Sequence, residues 1–284
     1  MKKEHLDLIH KALLAERLRT IKTSVAEYSF PNLYLFRAAH KYEVIFDEEI
    51  FIQGISYDGN TYLMPTFDAR SADVEYLKTM TKCCDFLFPI PEEWLSIFPP
   101  GEFDFSTREG EMDYIYTVEK MSTYRGRRLH KKRNLLKQFT TLYEHRAVPL
   151  TRDLIPDARV VLSDWQAESG LGEDETDYSP CSEALALYDE LVLCGGIYYA
   201  DGEPAGFIIG EELDEETFAL HFAKGRIKFT GVYQYMFNTF ARILPAKYRF
   251  MNFEQDLDKE TLRHAKSSYV PDIMLKKYRV SLKK

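Results

Sequence analysis

The chain has 284 residues, enough for one large domain or two of ordinary size, and long enough to hold a core without disulfides or a metal. Its 37 Lys and Arg against 45 Asp and Glu give a net charge of −8, which excludes a generally basic nucleic-acid coat protein but leaves room for a local basic site. The 19 Tyr and 19 Phe are more than usual and predict a sheet-rich, aromatic core.

In chain order, residues 4–26 place Leu6, Ile9, Leu13, Leu14, Leu18, Ile21 and Val25 at three- and four-residue spacing and read as an amphipathic helix. A short helix is read over 33–39. Strand patterns follow at 42–47, 50–57 and 61–65, with Asp58-Gly59-Asn60 supplying hairpin-turn chemistry between the last two. A helix over 69–84, a strand over 86–89, a short helix over 92–98 and a strand over 113–118 complete a mixed sheet with flanking helices. Beyond a helix over 122–139, the second half reads as a strand over 140–148 and helices over 156–168 and 182–193. Strands over 197–200, 205–210 and 217–223 come next, then a helix over 233–243, a strand over 248–253, a helix over 259–268 and a last strand over 272–280.

The segment 122–139 differs in kind. Residues 125–137 hold seven basic residues and no acid, so the rest of the chain carries a balance of −15. Laid on a helix, Leu129, Leu135, Leu136 and Phe139 share one arc, with Arg127, Lys131 and Lys137 opposite. Arg128 and Lys132 fall inside the apolar arc, where they require nearby carboxylates or a ligand's phosphates. The plainer alternative is a solvated helix, paired with the surplus acids, that joins two domains. Residues 164–177 carry six acids and no base and read as an acidic surface loop.

No apolar run approaches the roughly 18 residues that mark a spanning helix, and the N-terminal segment is amphipathic rather than an apolar signal core. Cys83, Cys84, Cys181 and Cys194 show no CxxC spacing. These features predict a cytoplasmic protein with reduced thiols and no bound metal.

The element order of the second half is that of an N-acyltransferase domain of the GNAT type. Specific motifs carry a closer resemblance. Tyr28-Ser29-Phe30-Pro31-Asn32-Leu33-Tyr34-Leu35-Phe36-Arg37 is followed by Asp113-Tyr114-Ile115-Tyr116 and by Gly126-Arg127-Arg128-Leu129-His130-Lys131-Lys132-Arg133-Asn134. The tail holds Asn252-Phe253-Glu254-Gln255-Asp256-Leu257 and Leu262-Arg263-His264-Ala265-Lys266-Ser267-Ser268-Tyr269-Val270-Pro271. Together these resemble the DUF2156 family, also described as the phosphatidylglycerol lysyltransferase C-terminal domain, over essentially the whole chain. The resemblance implies an α+β fold of two tandem GNAT-like domains, each a mixed sheet with flanking helices, as in the Fem peptidyltransferases that use aminoacyl-tRNA. We place the N-terminal domain at 1–121, a basic connecting helix at 122–140, and a C-terminal domain with the active cleft at 141–284. The chain departs from the family pattern in three places. His221-Phe222-Ala223-Lys224-Gly225-Arg226 lacks the acids common after His-Phe, Phe253 replaces a basic residue, and Asp258 stands where Gly is usual. The resemblance therefore does not carry lysine or phosphatidylglycerol over as substrates.

Aminoacyl transfer needs a nucleophile, a base for its proton and a donor to the developing oxyanion. Glu254 and Asp256 follow a predicted strand and are candidates for the base, or for orienting the donor's amine. Their alternative is a helix N-terminal or ion-pairing role. His221 is a third candidate, against the commoner reading of a satisfied core histidine. Arg127, Arg128, Lys131, Lys132 and Arg133 are the expected partners of donor phosphates, with Lys224, Arg226 and Lys266 as further cations of the cleft. The turn holding Lys224, Gly225, Arg226, Lys228 and Gly231 lacks the glycine-rich run that would cradle a pyrophosphate. The first expectation is an aminoacyltransferase with aminoacyl-tRNA as donor, the tRNA acceptor stem as partner, and a lipid, peptide or small-molecule acceptor, a lipid being reached by peripheral contact. The alternatives are an acetyl-CoA or other acyl-CoA donor with a small amine, and a binding protein without catalysis.

Overall fold

The computed structural model describes residues 2–283. In chain order the elements are β1 (Lys2–His5), α1 (Lys11–Thr20), α2 (Phe30–His40), β2 (Glu43–Phe46), β3 (Ile50–Ile55), β4 (Thr61–Pro65), α3 (Val74–Thr81), β5 (Phe86–Ile90), β6 (Phe103–Ser106) and β7 (Asp113–Thr117). They continue with α4 (Val118–Thr123), α5 (His130–Leu142), β8 (His145–Pro149), α6 (Ile155–Ser169), α7 (Tyr178–Ala186), β9 (Cys194–Ala200), β10 (Glu203–Glu212), β11 (Thr217–Gly225), α8 (Val232–Ile243), β12 (Phe250–Asn252), α9 (Glu260–Ser267), β13 (Ile273–Leu275) and β14 (Tyr278–Leu282). Contacts divide the chain into two compact units that are discontinuous in sequence. Unit 1 comprises Met1–Asp113, Gln255–Arg263 and Met274–Lys284, and unit 2 comprises Tyr114–Glu254 and His264–Ile273.

Unit 1 is built on a sheet of order β1-β2-β3-β4-β5-β14-β6, in which only the β4–β5 pair is parallel. The β3–β4 hairpin closes where its sequence predicts, with Gly59 at φ 84 and the Gly59 N–H on the Ser56 carbonyl. Helix α2 starts at Ser29, whose hydroxyl accepts from the Asn32 N–H, with Pro31 in its first turn. Leu14, Leu33, Phe51, Ile52, Leu87, Trp94 and Val280 are buried in this unit. The segment 4–26 is not one helix: Lys2–His5 forms an edge strand antiparallel to β2, and Asp7 caps a short turn before α1.

The second sheet has the order β13-β7-β12-β11-β10-β9-β8. Its central pair, β11 and β12, is parallel, and helices α5, α6 and α8 pack on it. Phe139, Val161, Ile197, Phe207, Ile208, Phe218 and Met236 fill the core. From β8 to α9 the order of strands and helices agrees with the expected one. The basic run does not form the single helix read from its periodicity. Tyr124 at φ 47 and Gly126 at φ 100 end α4 and turn the chain, so Arg125, Arg127 and Arg128 lie on an exposed turn before α5. Helix α5 then runs to Leu142, through the start of the strand expected at 140–148, because Phe139 stacks on Tyr235 of α8 and holds it helical. The last predicted strand is two strands, β13 and β14, which belong to different sheets.

Candidate active site

In unit 2 the parallel pairing of β11 with β12 covers Thr217↔Phe250, Phe218↔Met251 and Ala219↔Asn252, where β12 ends while β11 runs on to Gly225. The strands part there. On the other side of β11 the register with β10 jumps from Gly210↔Leu220 to Ile209↔Phe222, which leaves His221 as the extra residue of a β-bulge. A bulge turns its side chain out of the regular alternation. Gly210 is needed beside it, since a Cβ there would lie 1.9 Å from the Ala219 carbonyl oxygen.

The His221 side chain is fully buried and sits between two carboxylates. Its Nδ1 is 2.7 Å from Glu254 Oε1 and its Nε2 is 2.8 Å from Glu211 Oε1. Carboxylates only accept, so both ring nitrogens donate and the ring is an imidazolium. Burial alone would lower its pKa, but the charges and hydrogen bonds of Glu254 and Glu211 outweigh burial and raise it to about 10. Glu254 follows the end of β12 in a left-handed conformation, φ 59, which a non-glycine residue adopts only when its surroundings hold it. They do: the Glu254 N–H donates to Asn252 Oδ1 at 2.6 Å, and its carbonyl accepts from the Tyr114 N–H and from Lys266 Nζ. Glu211 was missed by sequence reasoning. An acid near the end of a strand looks solvated, and only the bulge register carries it to His221.

Of the expected catalytic residues, His221 and Glu254 are brought together and Asp256 is not. Asp256 lies buried in unit 1, where its carboxylate takes the Arg263 guanidinium at 2.8 and 3.0 Å. The expected cations also separate into groups. Arg127, Arg128 and Lys131 are exposed, and none of them forms an ion pair among the described residues. Arg133 turns back to donate to the Tyr124 and Gly126 carbonyls, pinning the turn. Lys132 donates to Ser268 Oγ at 2.6 Å and lies 3.7 Å over the Tyr269 ring, and burial lowers its pKa to about 8. Lys266 belongs to the wall of the Glu254 site.

Lys224 and Arg226 are engaged internally. Lys224 Nζ is 2.5 Å from Asp177 and 3.6 Å over Trp165, while Arg226 pairs with Asp164 at 2.7 Å and Glu203 at 3.1 Å. Part of the acidic run thus folds onto this turn instead of forming a free surface loop. The turn's backbone donors are taken as well. Gly225 N–H donates to the Tyr233 hydroxyl, Ile227 N–H to Glu168 Oε2 at 2.9 Å and Thr230 N–H to the Tyr143 hydroxyl. Gly231 lies so close to α5 that a Cβ would sit 2.2 Å from the Leu135 carbonyl oxygen.

Among the described residues no helix is long and apolar enough to cross a membrane, and no group of three His, Cys, Asp or Glu side chains is placed to hold a metal. The family model described as phosphatidylglycerol lysyltransferase, C-terminal, matches residues 18–281. An uncharacterised protein of Mycoplasmoides gallisepticum is 25% identical over 219 residues, 70% of this chain, and the chain spans only 64% of that relative's length. A conserved protein of unknown function from Bacteroides thetaiotaomicron superimposes with a TM-score of 0.82 at 23% identity, over 100% of both chains. The crystal structure of FemX superimposes with a TM-score of 0.62 at 8% identity, over 100% of this chain and 98% of FemX. At these identities the structural likeness speaks for the fold, and it is the fold expected: two GNAT-like domains.

Proposed function

Because the chain belongs to the family of the phosphatidylglycerol lysyltransferase C-terminal domain, we propose that it is an aminoacyltransferase whose reaction centre is the Glu211–His221–Glu254 cluster of unit 2. The observation that carries this reading is the bulged His221, held as an imidazolium between two carboxylates where β11 and β12 part. In it, Glu254 accepts the proton of an attacking amine or hydroxyl, and the imidazolium holds that carboxylate in place and balances its charge. Glu211 fixes the other ring nitrogen and is a positioning residue. The donor ester is already activated, so orientation supplies much of the acceleration.

The electrostatics of unit 2 favour aminoacyl-tRNA over acyl-CoA as donor. A pyrophosphate needs backbone N–H groups at a turn, and those of the β11–α8 turn are given to Tyr233, Glu168 and Tyr143. The exposed, unpaired Arg127, Arg128 and Lys131 instead suit the spaced phosphates of an acceptor stem. We test this with pooled radiolabelled aminoacyl-tRNA and a bacterial extract separated into lipid, peptide and small-molecule fractions. Label leaving tRNA for one fraction with the intact protein, and not with Glu254→Gln, supports the reading and identifies the acceptor class. Label that stays on tRNA, or leaves it equally with both proteins, overturns it.

A further inference from the structure

We propose that a cleft in unit 1, walled by the β3–β4 turn and by residues 255–258, binds a small zwitterion: a free amino acid, or another molecule carrying an ammonium and a carboxylate on one short frame. The cleft has a volume of about 190 Å³ and is bounded by Tyr57, Asp58, Arg108, Glu111, Asp258 and Arg279. This volume is below the ~300 Å³ at which drug-sized ligands begin to fit, which restricts the occupant to a small molecule.

The charged lining has a fixed layer and an exchangeable one. Arg279 is buried and lies 4.4 Å over the Phe86 ring. Its Nη1 and Nη2 donate to Asp58 at 2.8 and 3.0 Å, and its Nε donates to Glu111 at 3.0 Å. The hydrogen bonds from Arg279 hold the Asp58 carboxyl well below the usual carboxylate range, so this layer stays ionised and closed at neutral pH. The rim is different. Arg108 and Asp258 are 42% and 51% exposed, and their contact of 3.4 Å is longer than those of the fixed layer. Each keeps another partner when they separate: Arg108 holds Asp58, and Asp258 holds Arg263 at 2.7 Å.

The chemistry of that opening selects the ligand. Asp58, Glu111, Asp256 and Asp258 face Arg108, Arg263 and Arg279, so the network is close to neutral. A zwitterion entering between Arg108 and Asp258 gives its ammonium to Asp258 and its carboxylate to Arg108. One long contact becomes two charge-assisted hydrogen bonds. A lone amine or a lone carboxylate satisfies one side and leaves the other without a partner. The exposed Tyr57 ring, packed edge-on against His40, offers an apolar face to the ligand's carbon skeleton.

The backbone supports the same reading. Leu257 and Asp258 both adopt left-handed φ of 57°, uncommon for residues other than glycine. They are held there by Leu257 N–H on the Gly110 carbonyl and Asp258 N–H on Asp256 Oδ1. Gly110 leaves room for the Asp258 carboxylate, since a Cβ there would lie 2.4 Å from its carbon. Strain of this kind persists where the surroundings fix it, and here it fixes a carboxylate at the mouth of a cleft. The proposal stands on unit 1 alone and does not depend on transfer chemistry in unit 2.

The test is a titration of the full-length protein by amide NMR and by thermal melting with glycine, alanine and lysine, matched against ethylamine and propionate. The expected result is saturable binding of at least one amino acid, with shifts at the Gly110, Leu257 and Asp258 amides and a melting temperature that rises with ligand concentration. The single-charge probes bind about 10-fold more weakly or less. Arg108→Gln and Asp258→Asn each weaken binding by about 10-fold and leave the unliganded melting temperature nearly unchanged. Asparagine tolerates the left-handed backbone at 258, which keeps that variant folded. Three results overturn the proposal: no binding of any amino acid up to about 10 mM, ethylamine or propionate binding as tightly as the zwitterions, or unchanged affinity in both variants.

Discussion

Units 1 and 2 each bury one cation between two carboxylates, at nearly the same distances. In unit 1, Lys277 Nζ is 2.7 Å from Glu27 and 2.8 Å from Asp113. In unit 2, His221 is 2.7 Å from Glu254 and 2.8 Å from Glu211. The settings differ. Asp113 is fully buried and its second oxygen accepts the Ala26 N–H, so the first cluster is a closed staple between distant parts of unit 1. Glu211 and Glu254 keep 12% and 14% exposure, and their cation sits on a bulge beside a left-handed residue. One charge motif is therefore structural where the backbone is sealed and suited to chemistry where the backbone is strained and open.

The largest expected effects separate the two clusters. Lys277→Met leaves two buried carboxylates without their cation and should cost about 3–5 kcal/mol in urea denaturation, with unchanged transfer per folded molecule. Glu254→Gln should lower transfer by about 10²–10⁴-fold and leave the protein folded. Glu211→Gln, which frees one side of the imidazolium, should lower it less and move its pH profile. If Glu254→Gln destabilises as much as Lys277→Met and transfer persists, both clusters are staples and the contrast between the units fails.

Much of the fold was legible in the residues and less of the site. The Asp58-Gly59-Asn60 turn, the Ser29 cap and the helix periodicities around 160 and 238 are local signals, and local structure followed them. The basic run misled because helical periodicity cannot report a left-handed residue such as Tyr124, whose conformation depends on its burial against Tyr269. His221 and Glu254 were legible as chemistry-bearing residues on and after strands. Glu211 was not, since its partner is set by a one-residue register jump across the sheet. Asp256 resembled Glu254 in sequence, yet two residues on the chain has returned to unit 1 and its carboxylate meets Arg263.

Proton linkage gives a smaller test of the same comparison. Burial, reinforced by the charge of Asp113 and opposed by Lys277, raises the Glu27 carboxyl from 4.5 to about 7. Between these values the folded protein holds this proton more tightly than the unfolded chain, so stability falls as pH rises from 4.5 through about 7. His221, raised from 6.5 to about 10, contributes stability that is fully present below 6.5 and is lost as pH rises through about 10. Urea midpoints across this range should show two separable slopes. Glu27→Gln should flatten the acidic one and His221→Gln the alkaline one. A native profile flat in both windows would mean that neither cluster holds its proton as described.

The smallest expected effect on stability is also the sharpest on the donor. Arg127 and Lys131 are exposed and make no ion pair among the described residues, so replacing both with Ala should change stability by under about 0.5 kcal/mol. Arg133 serves as the control, because its guanidinium holds the Tyr124 and Gly126 carbonyls and its loss should loosen the turn itself. If the turn meets RNA phosphates, each contact removed should lower the slope of log affinity against log salt by roughly 0.7–0.9. The double variant should therefore bind aminoacyl-tRNA more weakly at low salt and approach the native protein at high salt. An unchanged slope, with folding intact, would assign these cations to solvent and move the donor's phosphates elsewhere on the protein.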